Sequence, residues 1–414
     1  MNLIKFEIKK LLRSSYSFLM ILILLLSISG YFVYNYINTI RMEELIEGEE
    51  SLMFNNLSAI DELENQLKED PSLEDSPSFI QELESKKDWL EKEQTNIQAL
   101  KEEDWNYLLN QELKSYVDEV EMISDEYYPY RNMIKWPTDF TTQVHYYRTK
   151  WLYDNDIQPI LRYGSLGEKT IYDQSYDDPI IEEIIARESN KYSSKGFYFL
   201  YKFLDLAFGM IGIGFFIFLF ADILTKEGLS QYGPIHFLYS QPLSRTAILF
   251  NKYLALLIIS ILIMLVVSLF SILLGSLFDE LGSWNYPILI YQAEESFYFM
   301  PLLKFVGISS LLFFMNLLFS YSLLFFFSLL TKRTVTAIGF TFGILLLGFV
   351  FTGESTSNLA PYNPIQYINV YDIVSMESAA SQDNFDITWQ KGLVTLLLSS
   401  ILILLGSKGL SKIR

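Results

Sequence analysis

The chain is 414 residues long, half of them apolar and 16% aromatic, with only 19% charged and a mean hydropathy of +0.22, which excludes a disordered chain and an ordinary soluble domain. Its 31 basic residues against 49 acidic ones leave a formal charge of −18, the wrong sign for a nucleic-acid partner, whose binding needs a basic footprint to release counterions. With no cysteine and only His145 and His236 as histidines, disulfide frameworks, thiolate metal sites and cysteine nucleophiles are excluded, and little imidazole chemistry remains.

A helix crosses the roughly 30 Å hydrocarbon core with about 20 apolar residues, and six apolar runs are candidates, the last two of them short: 16–37, 203–224, 253–274, 305–330, 335–351 and 392–405, charged only at Asp205 and Asp222 of the second. Ser27-Ile28-Ser29 faintly resembles a signal cleavage site, but apolarity continues to Ile37, so the first run is expected to be an uncleaved anchor. Lys5, Lys9, Lys10 and Arg13 precede it; Lys226, Arg245 and Lys252 follow the second run, Lys332 and Arg333 the fourth, and Lys408, Lys412 and Arg414 the last. The alternate loops 275–301 and 353–390 carry acids and no Lys or Arg. Basic residues concentrate in cytoplasmic loops, so the expected fold is an all-α integral membrane protein. It has six transmembrane helices, both termini in the cytosol, and the plasma membrane of a bacterium as its location.

The insert 38–199 is then extracytoplasmic. It holds 36 acidic and 16 basic residues, net −20, whereas the rest of the chain is net +2. The expected organisation is 1–37 as N-terminus and first helix, 38–199 as an acidic outside domain, and 200–414 as helices two to six. Within the insert, Ile46, Met53, Ile60 and Leu67 recur every seven residues, placing a stripe on one helix face. Pro71 and Pro77 break that helix, and Ser76 or Ser78 caps a second in which Leu83, Leu90 and Ile97 repeat the spacing, giving a helical hairpin. Helical periodicity continues to Ile123; beyond Tyr127 an aromatic-rich stretch with Trp136, Tyr146, Tyr147, Trp151 and Tyr153 gives no clear pattern, and a small core or an interfacial anchor is preferred to a ligand surface.

Several motifs resemble chemistry without carrying it. Gly164-Ser165-Leu166-Gly167-Glu168-Lys169-Thr170 has the wrong glycine spacing for a phosphate loop. Glu182-Glu183-Ile184-Ile185-Ala186-Arg187 matches the first motif of intramembrane prenyl-type proteases but lies in a polar outside stretch, without histidines in the spans. Asp279, Glu280, Glu294 and Glu295 are read as solvated loop acids in preference to a divalent-ion site. Inside the spans Asp205 and Asn316 are candidates for a polar pathway, since buried ionisable groups in membranes tend to be functional.

The loop 225–247 carries the functional reading. Asp222, Glu227, Gly233, the apolar pair Phe237-Leu238, Pro242-Leu243-Ser244-Arg245 and Lys252 suit a short helix at the membrane surface that Pro242 stops. This pattern resembles the coupling loop of the membrane subunits of type-2 ABC exporters, which show an acid, a glycine, an apolar stretch ending in Pro-x-Ser-Arg, and then a lysine. Pro234 stands where that family often has Thr or Ser. The outer loop 358–365, where the family often places a short re-entrant helix, agrees. The resemblance implies docking of Asp222, Glu227, Gly233, Phe237, Leu238, Pro242, Arg245 and Lys252 on a separate ABC ATPase that holds ATP and Mg. It also implies pairing with an identical or sister permease subunit in the lipid bilayer. On that reading the chain binds no cofactor or metal of its own and is not itself an enzyme. The cargo preferred is an amphipathic or cationic peptide; the alternative is a receptor or immunity protein whose outside domain captures a ligand without transport.

Overall fold

The computed structural model describes residues 3–124, 135–161, 168–189, 192–229, 245–331, 333–352 and 359–413. They form two compact units. One comprises Met1–Asn35, Ser194–Trp284 and Ile288–Arg414, the other Tyr36–Ser193 with Asn285–Pro287.

The first unit opens with the short helix α1 (Leu3–Leu12) and the apolar α2 (Ser15–Asn38). In α2 only Ser17, Ile28, Phe32 and Asn35 are buried, and Phe18, Leu26 and Val33 face outward. That pattern suits a helix whose solvent is hydrocarbon.

The second unit is helical. α3 (Met42–Glu69) and α4 (Pro77–Lys101) make the expected hairpin, with Ile60, Leu83 and Ile97 in its seam. Asp70 turns the chain by accepting from the Ser72 backbone N–H at 3.1 Å and from its hydroxyl at 2.6 Å. Pro77 occupies the first turn of α4, where its missing N–H costs nothing; Ser76 stands at the N-cap position without a side-chain capping bond. Glu93, buried on α4, hydrogen-bonds Glu49 of α3. Beyond the hairpin come α5 (Trp105–Ser124), α6 (Asp139–Asp154) and α7 (Pro179–Ser189). Thr138 caps α6, and the buried Asp173 organises the adjoining loop by accepting from the Thr138 N–H, the Thr141 hydroxyl and the Thr170 N–H. His145 of α6 pairs with Glu112 of α5 at 2.8 Å. In the aromatic-rich stretch Trp136 is buried, while Tyr147 and Tyr153 are exposed.

The chain then returns to the first unit. α8 (Gly196–Ala207) and α9 (Met210–Leu229) are bent by 72° across Phe208-Gly209, where the sequence reads as one continuous span. No proline causes the bend. Gly212 allows it, because a Cβ there would lie 1.9 Å from the Ala207 carbonyl oxygen, so the two arms meet backbone to backbone. α10 (Arg245–Phe278) crosses α8 equally closely, Gly275 resting on Gly196. A two-stranded sheet follows, β1 (Pro287–Gln292) paired with β2 (Ser296–Pro301), which corrects the all-α expectation. Next are α11 (Leu302–Thr331), α12 (Thr334–Thr352), two 3-10 turns at Ala360–Tyr362 and Pro364–Tyr367, the short α13 (Val370–Val374) and α14 (Glu377–Ser381), and α15 (Trp389–Ile413).

α11 is the centre of this bundle, buried nearly all round and packed against α9, α12 and α15. Apart from Thr352 in its last turn, α12 is buried only along Ala337, Thr341 and Leu345, one turn apart each, with Val335, Phe340, Leu347 and Val350 outward. Among the described residues five helices are long and apolar enough to cross a membrane, or six if the bent pair α8–α9 is one span.

Candidate functional site

α9 and α10 flank the loop singled out in the sequence. Gly233, Phe237, Leu238 and Pro242 lie outside the described residues. Asp222 and Glu227 fall on the last turns of α9, and Arg245 opens α10. Lys252, two turns into α10, is 2% exposed and ion-pairs at 3.3 Å with Glu7 of α1, equally buried. It is therefore a joint between helices, with no free surface to offer a docking partner. Glu7 escaped the sequence reading although one signal marks it: it is the only acid before Glu43, set among Lys5, Lys9, Lys10 and Arg13.

From that joint a series of hydrogen bonds runs through the bundle. The Tyr253 hydroxyl donates to the Leu318 carbonyl at 2.8 Å and shares a bond with Ser322. Two turns on, Ser260 and Tyr321 hydroxyls meet at 2.7 Å. α10 is thus bolted to α11 by paired hydroxyls in a place where water is scarce and an unmade bond is costly. On another face of α11, Asn316 is fully buried and donates from Nδ2 to the Tyr367 carbonyl at 2.6 Å. Tyr367 in turn donates its hydroxyl to the Pro361 carbonyl. Asn316 therefore anchors the 3-10 segment between α12 and α15, which overlaps the loop 358–365 where the family resemblance implied a re-entrant helix. Just beyond, the Val370 N–H reaches the Phe208 carbonyl at the α8–α9 bend, and Phe208 stacks on Phe313 of α11 with ring centres 4.5 Å apart.

Asp205 belongs to a different cluster. On the last turn of α8 it lies within electrostatic reach of Asp372 and Glu377. Burial raises the carboxyl of Asp372 above its ordinary range. Glu377 keeps an accessible surface, yet the protein around it and the charges of Asp372 and Asp205 push its carboxyl up to about 7. The Glu377 carboxyl therefore exchanges its proton near neutrality. The sequence marked Asp205 and Asn316 together; the structure places them in separate arrangements.

The lookalike motifs have structural uses. Lys169 pairs with Glu182 at 2.6 Å, fastening α7 to the preceding loop; residues 162–167 lie outside the described set. Glu280 pairs with Lys195, and Asp279 accepts from Ser194. Glu294 and Glu295 are the turn of the β-hairpin, with φ of 59° and 52° and Ser296 N–H bonded to the Ala293 carbonyl. Among the described residues no group of three or more acids or histidines is arranged to hold a metal ion.

A family model described as ABC-2 family transporter protein matches residues 1–407. The chain belongs to the ABC-2 transporter family. It is a multi-pass membrane permease subunit, of a family whose partner is an ABC ATPase. No curated protein and no solved structure matches the chain.

Proposed function

We propose that this ABC-2 protein is the permease of an ATP-driven exporter in a bacterial plasma membrane, with both termini and the loop 225–247 in the cytosol and 38–199 outside. The observation that carries this reading is the family match along nearly the whole chain. The sequence has no phosphate loop, so energy comes from a separate ATPase holding ATP and Mg. That partner docks on the loop between α9 and α10 through Glu227, Phe237-Leu238 and Arg245. Lys252 acts from behind, through its ion pair with Glu7.

ATPase closure displaces the ends of α9 and α10. The Tyr253 and Ser260 bonds carry that displacement into α11, and the Asn316–Tyr367 bond carries it to the re-entrant segment and the α8–α9 bend. A second permease subunit, identical or a sister, completes the pathway, and nucleotide shifts the populations of its packings. The net −20 insert favours a cationic, amphipathic cargo such as a peptide, gathered or released at the outer face.

The test is co-purification of the tagged chain in mild detergent, with ATPase activity assayed on the eluate. Wild type is expected to bring down a soluble ATPase. Glu227→Ala and Arg245→Glu are expected to lose it, and Asn316→Leu to retain it while uncoupling hydrolysis from transport. Absence of any ATPase from the wild-type eluate overturns the reading.

A further inference from the structure

The bend between α8 and α9 leaves a cavity of ≈ 230 Å³ among the apolar helices of the first unit. Its wall comes from both arms of the bend, from α2, from α10 and from Phe313 of α11. The volume exceeds the ~150 Å³ of an apolar protein cavity known to stay dry and take up an aromatic hydrocarbon. The polar side chains on the wall have partners in their own helix: the Ser27 hydroxyl donates to the Ile23 carbonyl, and the Tyr31 hydroxyl is hydrogen-bonded to Asn35. With these groups already bonded and the rest of the wall apolar, neither water nor a hydrophilic solute gains much by entering.

The cavity is also open on one side. Leu206 and Ile211 on its wall are 44% and 64% exposed, and Leu22, Ile23 and Leu26 beside Ser27 are exposed as well. The mouth is thus continuous with the apolar surface of helices long enough to span a bilayer, a surface whose solvent is lipid hydrocarbon. The close packing at Gly212 holds the arms bent, so the cavity does not collapse by straightening of the helix.

We propose that this cavity is an acyl-chain site, entered sideways from the bilayer by one hydrocarbon tail of a membrane lipid. The tail lies along the bend, against Met264 and Phe216, and supplies the dispersion contacts an empty cavity lacks. Its occupancy stabilises the bent arrangement of α8–α9 over a straight one. The inference is independent of any ATPase partner.

The experiment uses the full chain in vesicles doped with a phospholipid carrying a diazirine midway along one acyl chain. After irradiation, adducts are mapped by mass spectrometry. The expected result is a several-fold enrichment at Met264 and Phe216 over Leu269 and Leu402, outward-facing positions that sample bulk lipid. Val267→Trp, and the milder Met264→Phe, fill the cavity and are expected to remove the enrichment while leaving the outward adducts unchanged. Equal labelling of wall and outward positions overturns the proposal, as does enrichment that survives both filling variants. Because the chain has no native cysteine, Ile211→Cys provides a clean second measurement. A disulfide-linked dimer forming in membranes would mean that a second copy of the chain covers the mouth, and that too overturns the proposal.

Discussion

Glu93→Gln isolates the proton shared in the helical hairpin. Glu93 is 7% exposed. Its carboxyl is pushed up to about 7, by burial first and then by its hydrogen bond to and the charge of Glu49, with Asn96 opposing. The folded hairpin therefore keeps a proton that the unfolded chain releases near the ordinary value of 4.5. A raised carboxyl favours the fold below its unfolded value, so stability falls as pH rises from about 4.5 to about 7 and is level above that. At 1.36 kcal/mol per unit, the full shift is worth up to roughly 3 kcal/mol. Glutamine retains a donor for Glu49 and does not titrate. The variant is expected to match wild type near pH 5 and to exceed it by up to roughly 3 kcal/mol near pH 8. Hydrogen exchange of α4 amides in the full chain, corrected for intrinsic rates, reads this directly. Identical pH slopes for wild type and variant, or a variant less stable at alkaline pH, would refute the reasoning.

Lys252→Met removes the ion-pair partner of the buried Glu7 carboxylate, leaving it the charge of Lys10, and is expected to cost up to about 3–5 kcal/mol, seen as a lower unfolding temperature in detergent and as protease access to α1. Glu7→Leu combined with Lys252→Met should recover most of that loss, since a packed apolar pair replaces the ions. Gly212→Ala forces the α8–α9 bend apart and is expected to destabilise by about 2 kcal/mol or more. Gly307→Ala, with nothing within 4 Å of the added carbon, should be neutral or gain up to about 1 kcal/mol from helix propensity; thermal unfolding of the two side by side checks the contrast. Glu295→Gly relieves a left-handed residue at the β-hairpin turn and is expected to stabilise by about 1 kcal/mol, measured by hydrogen exchange across β1 and β2.

The features legible in the sequence are those that depend on neighbours along the chain. Apolar runs announced α2, α10, α11, α12 and α15, each helix extending beyond its apolar run at one or both ends, most of all α15, whose run 392–405 is too short to span alone. The seven-residue repeat announced α3 and α4, because a helix face is a local periodicity, and Pro71 and Pro77 marked the break between them. The β-hairpin was hidden for an equally local reason. Its turn is Glu294-Glu295, not the Asn-Gly or Asp-Gly pair that usually supports two left-handed residues, and the same acids invited a metal reading.

The glycines show where local reading stops. Gly212 and Gly214 meet neighbouring groups at close quarters, and Gly209 at ordinary contact distance, whereas Gly339 and Gly343 face open space. Nothing in their sequence neighbourhoods separates the two sets. The bend at Phe208-Gly209 has no proline to signal it; the stretch scans as an unbroken span, and only the Ala207 carbonyl seated on Gly212 and Phe208 stacked on Phe313 make it one of two arms. Pairings between residues far apart in the chain are decided at the same level. Glu7 with Lys252, Ser260 with Tyr321, and Asn316 with Tyr367 join residues 245, 61 and 51 positions apart. Composition and periodicity set how much of this chain must be helix and how much must meet lipid. Which buried polar atoms satisfy one another was settled by packing, because in hydrocarbon a donor left without a partner costs several kcal/mol and only the assembled bundle brings the partners within reach.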